Sequence, residues 1–244
     1  MTPIMDPTAQ CAHDGSAEHL LRGHRGDLAA MTHHSFDDIL RAFDALQPGQ
    51  LFVLASDDDP RPVLRRLQSE RPRQFEWSVL EAGPGRCRIE IRRRAAAGPR
   101  DVSEFLGWDH HRRAGILTEV IRLVDNGAHA DAAPLFAEFA CGLNWHIDAE
   151  EITLFPVFEE KTGILEGPTK VLRDDHRQIR RRMAEVADHL QAGDAAAAGR
   201  AITALDGILG DHNIMEEQIL YPLMDQAMVD GQERDDLVKR IQIT

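Results

Sequence analysis

The chain has 244 residues, a net charge of −13 and a hydrophobic fraction of 43 %. This composition is typical of a globular protein with one large or two small domains. The acidic balance and the lack of an 18-residue apolar run lead us to expect neither nucleic acid nor a membrane as a partner. Three widely spaced cysteines fit no disulfide framework or CxxC metal site, and the first residues lack the pattern of a signal peptide. We therefore expect a cytoplasmic protein.

Charge is distributed unevenly and predicts two modules. Residues 1–103 carry 15 acidic and 14 basic side chains, whereas residues 104–244 carry 26 and 14. Residues 1–26 show no apolar period and are interpreted as a flexible leader. Residues 95–100 have the Ala/Gly/Pro composition of a linker, and residues 230–244 are interpreted as a C-terminal tail.

Residues 27–94 predict a small α+β domain with the element order βαβαββ. Apolar residues at helical spacing from Phe36 to Leu46 indicate a helix, which Pro48 and Gly49 end. Pro60 suits the first turn of a second helix. Two alternating segments on either side of the Gly-Pro-Gly sequence at 83–85 indicate a hairpin. The predicted strands are 27–31, 51–55, 75–80 and 86–92.

This order, with DDDPRP opening the second helix, resembles the small uncharacterised domain often found ahead of hemerythrin-like domains. More distantly it resembles the TusA-type sulfur-carrier fold. The resemblance to the carriers implies a Cys-Pro-x-Pro sequence at the start of the first helix, where this chain has Thr-His-His-Ser at 32–35. Because that position has no thiol nucleophile, we do not expect sulfur transfer.

The second module contains a repeat of 66 residues without a gap. Its two copies each predict a pair of helices joined at a glycine, Gly127 or Gly193, so the module is an all-α bundle of four helices. The motifs that recur are Asp109-His110 as Asp175-His176, HIDAEE at 146–151 as HNIMEE at 212–217, and LFP at 154–156 as LYP at 220–222.

Helix geometry places the repeated histidines at one level of the bundle. In each copy the first histidine lies 17 residues before the glycine and the second lies 19 after it, which at 1.5 Å per residue gives heights within about 3 Å. His and Glu four residues apart share a helix face. Glu151 and Glu217 are turned about 140° from those histidines, so we expect them to face solvent. His110 is favoured over His111 because position 177 of the repeat is Arg.

Four imidazoles and two carboxylates in a bundle core predict bound metal, since burying them without an ion would be costly. Two histidines per metal and two bridging glutamates, with an oxo or hydroxo bridge, leave an open position on a six-coordinate ion such as iron. Structural zinc would close four positions, and calcium would prefer oxygen ligands. The candidate ligands are His110, His146, Glu150, His176, His212 and Glu216.

The sequences DHHRRAGIL, HIDAEEITLFP, DDHRQI and HNIMEEQILYP resemble the hemerythrin-like HHE cation-binding domains, over roughly residues 104–228. The resemblance implies a non-haem di-iron centre with those six ligands in an up-down-up-down four-helix bundle, here bounded at 101–229. Oxygen-carrying hemerythrins have a fifth histidine where this chain has Arg180. The pattern is similar to the bacterial four-His, two-Glu type, which includes iron-centre repair proteins and proteins that bind nitric oxide.

Three functions remain open on these grounds. The first is a di-iron protein that binds a diatomic gas under nitrosative or oxidative stress, with nitric oxide favoured over dioxygen. The second is an enzyme or repair factor that reduces nitric oxide or peroxide, or donates iron to damaged iron–sulfur clusters. The third is a sensing module whose N-terminal domain contacts a protein partner.

Residues next to the candidate ligands carry further expectations. Four aromatic residues flank the candidate ligands and are expected in the core, although they could line a path for gas: Trp108, Trp145, Phe155 and Tyr221. Pro156 and Pro222 are expected to kink their helices just beyond the glutamates.

Overall fold

A computed structural model describes residues 31–32, 35–83, 86–95 and 101–244. The predicted leader at 1–26 and residues 96–100 of the predicted linker lie outside the described residues. The chain divides into two compact units, Met1–Gly98 and Pro99–Thr244, and each is described by itself. In the described part of the chain, no helix is long and apolar enough to cross a membrane.

The first unit has the predicted element order βαβαββ. Its sheet has the order β1-β2-β4-β3, in which β1 and β2 are parallel and the other neighbours are antiparallel. The predicted first strand at 27–31 is placed at Met31–Thr32, and residues 27–30 lie outside the described residues. The elements are β1 (Met31–Thr32), α1 (Phe36–Ala45), β2 (Leu51–Ser56), α2 (Arg61–Glu70), β3 (Phe75–Gly83) and β4 (Arg86–Arg93).

Local signals account for these elements. The Ser35 side chain accepts a hydrogen bond from the Asp38 backbone N–H, and the Asp38 carboxylate accepts one from the Ser35 N–H, which forms a capping box. Residues 51–54 of β2 are all buried, because this strand lies inside the sheet. Both helices bury an apolar stripe, and the domain core includes Ile39, Phe43, Leu64, Leu67, Ile89 and Ile91.

The second unit is a bundle of four long helices, as predicted. Asp101 caps α3 through the Glu104 backbone N–H. Gly127 and Gly193 follow the first helix of each copy with φ of +74° and +69°, a conformation that favours glycine. The helices are α3 (Val102–Asp125), α4 (His129–Ala149), α5 (Phe155–Thr162), α6 (Pro168–Ala192), α7 (Ala195–Met215), α8 (Tyr221–Ala227) and α9 (Gly231–Gln242).

The bundle core lies between the four long helices. Helix α3 packs against α4 and α7, and α6 packs against α4 and α7, so each long helix has two neighbours. One cluster of buried apolar side chains fills the part of the bundle near the glycine turns. A second cluster joins the start of α3 to α5, α8 and α9. Buried histidines occur where a helix passes from one cluster to the other, as His176 does between Leu172 of the second cluster and Ile179 of the first.

The interpretation of residues 230–244 as a tail is wrong. Residues Gly231–Gln242 form helix α9, which buries Leu237, Val238 and Ile241 in the second apolar cluster. Most residues of this segment are polar, so the sequence does not indicate a core helix. The few apolar residues nevertheless share one face, which the short helix buries.

A five-residue π-turn interrupts the second helix of each copy, where the sequence predicts a kink. The π-turns span Glu150–Leu154 and Glu216–Leu220. Pro156 and Pro222 lie in the first turn of the α-helices that follow, where a missing backbone N–H is tolerated.

Candidate metal centre

The structure brings all six candidate ligands together in the bundle core. They come from four helices and from the first residue of each π-turn. Each side chain is at least 95 % buried, so the group is shielded from water. The residues are His110 of α3, His146 of α4, Glu150 of the first π-turn, His176 of α6, His212 of α7 and Glu216 of the second π-turn.

The histidines form two pairs. His110 Nε2 lies 3.2 Å from His146 Nε2, and the rings of His176 and His212 are 4.9 Å apart between centroids. The first pair comes from the first copy of the repeat and the second pair from the second. This arrangement provides two sets of nitrogen donors.

The two glutamates lie between the pairs. Glu150 Oε2 is 3.4 Å from His146 Nε2 and 3.3 Å from His176 Nε2. Glu216 places Oε2 3.3 Å from His110 Nε2 and Oε1 3.0 Å from His212 Nε2. Each carboxylate therefore contacts a histidine of both pairs.

His111 lies outside the cluster. Its ring is exposed and its Nδ1 is 2.7 Å from the Gly107 carbonyl oxygen. Neighbouring residues on a helix differ by about 100° in direction, so only one of the two histidines can face the core. The structure places His110 there.

Several buried atoms of the cluster fit a metal ion better than they fit one another. Among the described residues, Glu150 Oε2, His176 Nε2 and Glu216 Oε1 have no hydrogen-bond partner. His176 Nε2 lies 3.3 Å from Glu150 Oε2 and 3.8 Å from Glu216 Oε1, so the three atoms are close together although none of them is hydrogen-bonded. One ligand atom from each of Glu150, His176, His212 and Glu216 lies within 4.8 Å of the others, as do those of His110, His146 and Glu216. Buried polar atoms left unpaired are costly, and a cation would satisfy them.

Glu151 and Glu217 are partly exposed, as expected, but they also contact histidines of the cluster. His176 Nδ1 donates to Glu151 Oε1 at 2.9 Å, and His110 Nδ1 donates to Glu217 Oε1 at 2.6 Å. Each glutamate points away from the histidine of its own helix and reaches a histidine of the other copy. The repetition of Glu-Glu in both copies was the signal for this role.

Asp109 and Asp175 differ in how closely they contact the two remaining histidines, His146 and His212. His146 Nδ1 donates to Asp109 Oδ2 at 2.9 Å, whereas His212 Nδ1 and Asp175 Oδ2 are 3.9 Å apart. Asp109 is held by Arg113, whose Nε donates to Oδ2 at 2.9 Å. An acidic partner on Nδ1 fixes the ring and leaves Nε2 for a metal.

Tyr221 contacts the cluster directly, whereas the sequence indicated a core aromatic residue or one that lines a path for gas. Its side chain is fully buried, and its hydroxyl donates to Glu150 Oε1 at 2.7 Å and lies 3.1 Å from Glu216 Oε2. Phe155 has the matching position in the first copy and stacks on His176. The change from Phe to Tyr between copies was the available signal.

The cluster shifts the pKa values of its own members in opposite directions. Burial would lower the pKa of His176, but the carboxylates of Glu150 and Glu151 outweigh burial and raise it to about 11. Burial and Glu216 would raise the pKa of Glu150, but His146 and His176 lower it to about 2. The pKa of Glu216 is held well below its usual value by His110, His176 and His212, against the effect of burial. Without metal, the ionised Glu150 and Glu216 and the protonated His176 therefore stabilise one another in the core.

A four-helix bundle with a buried cluster of histidines and glutamates defines this chain as a metal-binding protein. Comparison with known families agrees. Residues 101–224, just over half of the chain, match the family described as hemerythrin HHE cation binding domain. The chain belongs to this family.

The N-terminal unit matches a second family. Residues 29–93 match the family described as an uncharacterized conserved protein, DUF2249, which agrees with the uncharacterised domain indicated by the sequence. No curated protein and no solved structure matches the chain.

Proposed function

We propose that the C-terminal domain holds a di-iron centre that binds a diatomic gas, with nitric oxide favoured over dioxygen. The ligands in this proposal are His110, His146, Glu150, His176, His212 and Glu216. One observation carries it: four imidazoles and two carboxylates converge in a buried core, and three of their donor atoms, on Glu150, His176 and Glu216, have no hydrogen-bond partner among the described residues.

The donor set favours iron. Mixed nitrogen and carboxylate oxygen donors suit a borderline divalent or trivalent ion, and calcium would take oxygen alone. Each proposed ion has two histidines and a share of both carboxylates, fewer donors than a six-coordinate ion accepts. Iron would supply an open coordination position and a change of oxidation state.

The protein contributes position and exclusion of water. The outer carboxylates orient the imidazoles, and the buried bridge of Glu150 and Glu216 holds the two sites at a fixed separation. Two apolar clusters flank the site, which gives small uncharged molecules an environment that favours them over ions.

Nitric oxide is favoured because the centre lacks the fifth histidine that the hemerythrin resemblance associates with oxygen carriage. Arg180 occupies that position, and its Nη2 donates to Asp148 Oδ1 at 2.5 Å, away from the cluster. We place the activity in the cytoplasm, in the response to nitrosative or oxidative stress.

The test is gas addition to the reduced, iron-loaded protein under anaerobic conditions, followed by optical and Mössbauer spectroscopy. We expect a stable nitric oxide adduct that is lost on gas removal, and oxidation of iron by dioxygen without a reversible adduct. A reversible dioxygen adduct with no nitric oxide adduct would overturn the preference. Steady conversion of nitric oxide to nitrous oxide would instead make the protein an enzyme.

A matched pair of variants shows whether a gas signal comes from this centre. His176→Ala should abolish the adduct because it removes a proposed ligand. His111→Ala should leave it unchanged because this neighbouring histidine is exposed and outside the cluster.

A further inference from the structure

Tyr221 is the only tyrosine in the chain, and its hydroxyl lies inside the cluster of proposed ligands. The side chain has no exposed surface. A buried tyrosine that serves only packing needs one partner for its hydroxyl. This hydroxyl instead contacts three residues, and all three are proposed metal ligands.

The distances fit a further ligand atom. Tyr221 Oη lies 3.2 Å from His110 Nε2, 2.7 Å from Glu150 Oε1 and 3.1 Å from Glu216 Oε2. Metal–ligand bonds of about 2.1 Å place adjacent donor atoms of an octahedron about 3 Å apart. The phenolic oxygen therefore lies at the spacing expected for an adjacent donor on one ion.

We propose that the Tyr221 phenolic oxygen is a ligand of the iron that His110 and His146 hold. This inference rests on the proposed di-iron centre and adds a seventh protein ligand to it. A metal ligand must bind in its deprotonated form, so the bond from iron to oxygen replaces the O–H bond. The proton leaves to solvent, and the oxidation state of the iron does not change in this step.

The other side of the centre has no equivalent donor. Phe155 has the position related to Tyr221 by the repeat, and its ring stacks on His176 at a centroid distance of 5.6 Å and an interplanar angle of 9°. The two iron positions are therefore inequivalent. The position beside His176 and His212 would have fewer protein donors, so an iron held there would keep the more open coordination sphere.

The hydrogen bonds of the histidine Nδ1 atoms also differ between the two sides of the centre. On the Tyr221 side, His110 and His146 each donate from Nδ1 to a carboxylate, Glu217 and Asp109. On the other side, His212 Nδ1 has no hydrogen-bond partner among the described residues. His176 Nδ1 donates to Glu151, so the Tyr221 side has two such carboxylate partners and the other side has one.

Resonance Raman spectroscopy of the ferric protein tests the inference. A ferric phenolate absorbs visible light, and excitation there enhances the vibrations of the bound tyrosine ring. Because the chain has one tyrosine, protein grown with ring-deuterated tyrosine assigns any such vibration to Tyr221 without a mutation. We expect enhanced ring modes that shift with the label. Iron-loaded wild-type protein whose spectrum does not respond to the label would overturn the inference.

Tyr221→Phe supplies the matched variant, since it removes one oxygen and restores the residue of the first copy. We expect it to keep about two irons per chain while losing the visible band and the labelled modes. A variant that keeps both the iron and the band would contradict the inference. Wild-type protein without iron would contradict the proposed function itself, whereas iron without phenolate modes contradicts only the role of Tyr221.

Discussion

At the scale of single residues, the metal centre depends on acidic side chains behind the histidines. Three of the four histidines donate from Nδ1 to a carboxylate, and their Nε2 atoms lie 3.3–3.4 Å from an oxygen of Glu150 or Glu216. The sequence shows both sets of outer residues, as the repeated Asp-His and Glu-Glu pairs. Their role was not predicted because angles within one helix do not show which side chains reach the neighbouring helix.

Asp109→Asn should weaken iron binding by roughly 10- to 100-fold, because the outer partner of a metal-bound histidine fixes its orientation and basicity. Competition with a chelator measures the affinity. Asp175→Asn is the control, since its carboxylate lies 3.9 Å from His212 Nδ1 and should matter less. Equal losses in the two variants would contradict the unequal roles of these residues.

The adjacent histidines of α3 give a second prediction for single residues. His110→Ala should lose iron, because it removes a nitrogen from the buried cluster, and His111→Ala should keep it, because that ring is exposed. Elemental analysis of the folded variants measures the difference. Loss of iron from His111→Ala alone would mean that α3 is rotated by about one residue step from the orientation described.

At the scale of elements, helix spacing predicted the long helices but not their interruptions. The pattern from His146 to Glu150 follows the ordinary α-helical period, and the π-turn begins only at Glu150. Pro156 and Pro222 marked an irregularity in both copies, yet a proline is compatible with a kink or a wider turn. The choice between them depends on packing against neighbouring helices, which the sequence of one helix does not contain.

Helix α9 provides a prediction for an element. Leu237→Ala should lower the free energy of unfolding of the bundle by about 2–5 kcal/mol, the usual cost of removing a fully buried leucine side chain. Chemical denaturation measures the change. Asp236→Ala, at the exposed neighbouring position, should change stability little. If both variants are as stable as the wild type, residues 230–244 are a tail and not part of the core.

At the scale of the whole molecule, the repeat carried most of the prediction. A constant offset of 66 residues related each candidate ligand of the first copy to one of the second, and equal distances from the turn glycines placed the four histidines at one level. The same regularity hid Tyr221, because its counterpart Phe155 suggested a core position. Tyr221 departs from the repeat by a single hydroxyl group, and that group is the part of the side chain that contacts the cluster.

Iron and pH should act together on the stability of the whole protein. Because the pKa of His176 is raised to about 11 without metal, its protonated imidazole stabilises the metal-free fold. This contribution is complete below the ordinary pKa of 6.5 and is lost progressively as the pH rises toward 11. Because the pKa of Glu150 is lowered to about 2, its ionised carboxylate stabilises the fold above the ordinary pKa of 4.5. This contribution is lost as the pH falls toward 2. Iron must displace the proton from His176, so iron binding strengthens as pH rises.

Thermal melting with and without iron measures this coupling. The rise in Tm on adding iron should be larger at pH 8.5 than at pH 6.5, because iron stabilises the native state by mass action and binds more tightly at the higher pH. His176→Ala is the control and should show little rise at either pH. A rise in Tm that does not depend on pH would contradict proton displacement from the cluster.

The most direct test of the central claim is the iron content of the full chain. The metal-free protein is titrated with ferrous iron under anaerobic conditions, freed of unbound metal and analysed, with circular dichroism as the check of folding. Two ions for the two histidine pairs predict about two irons per folded chain, on the proposed count of four nitrogen and two bridging carboxylate ligands. Folded protein that retains no iron, or only one, would contradict a di-iron centre at these six residues.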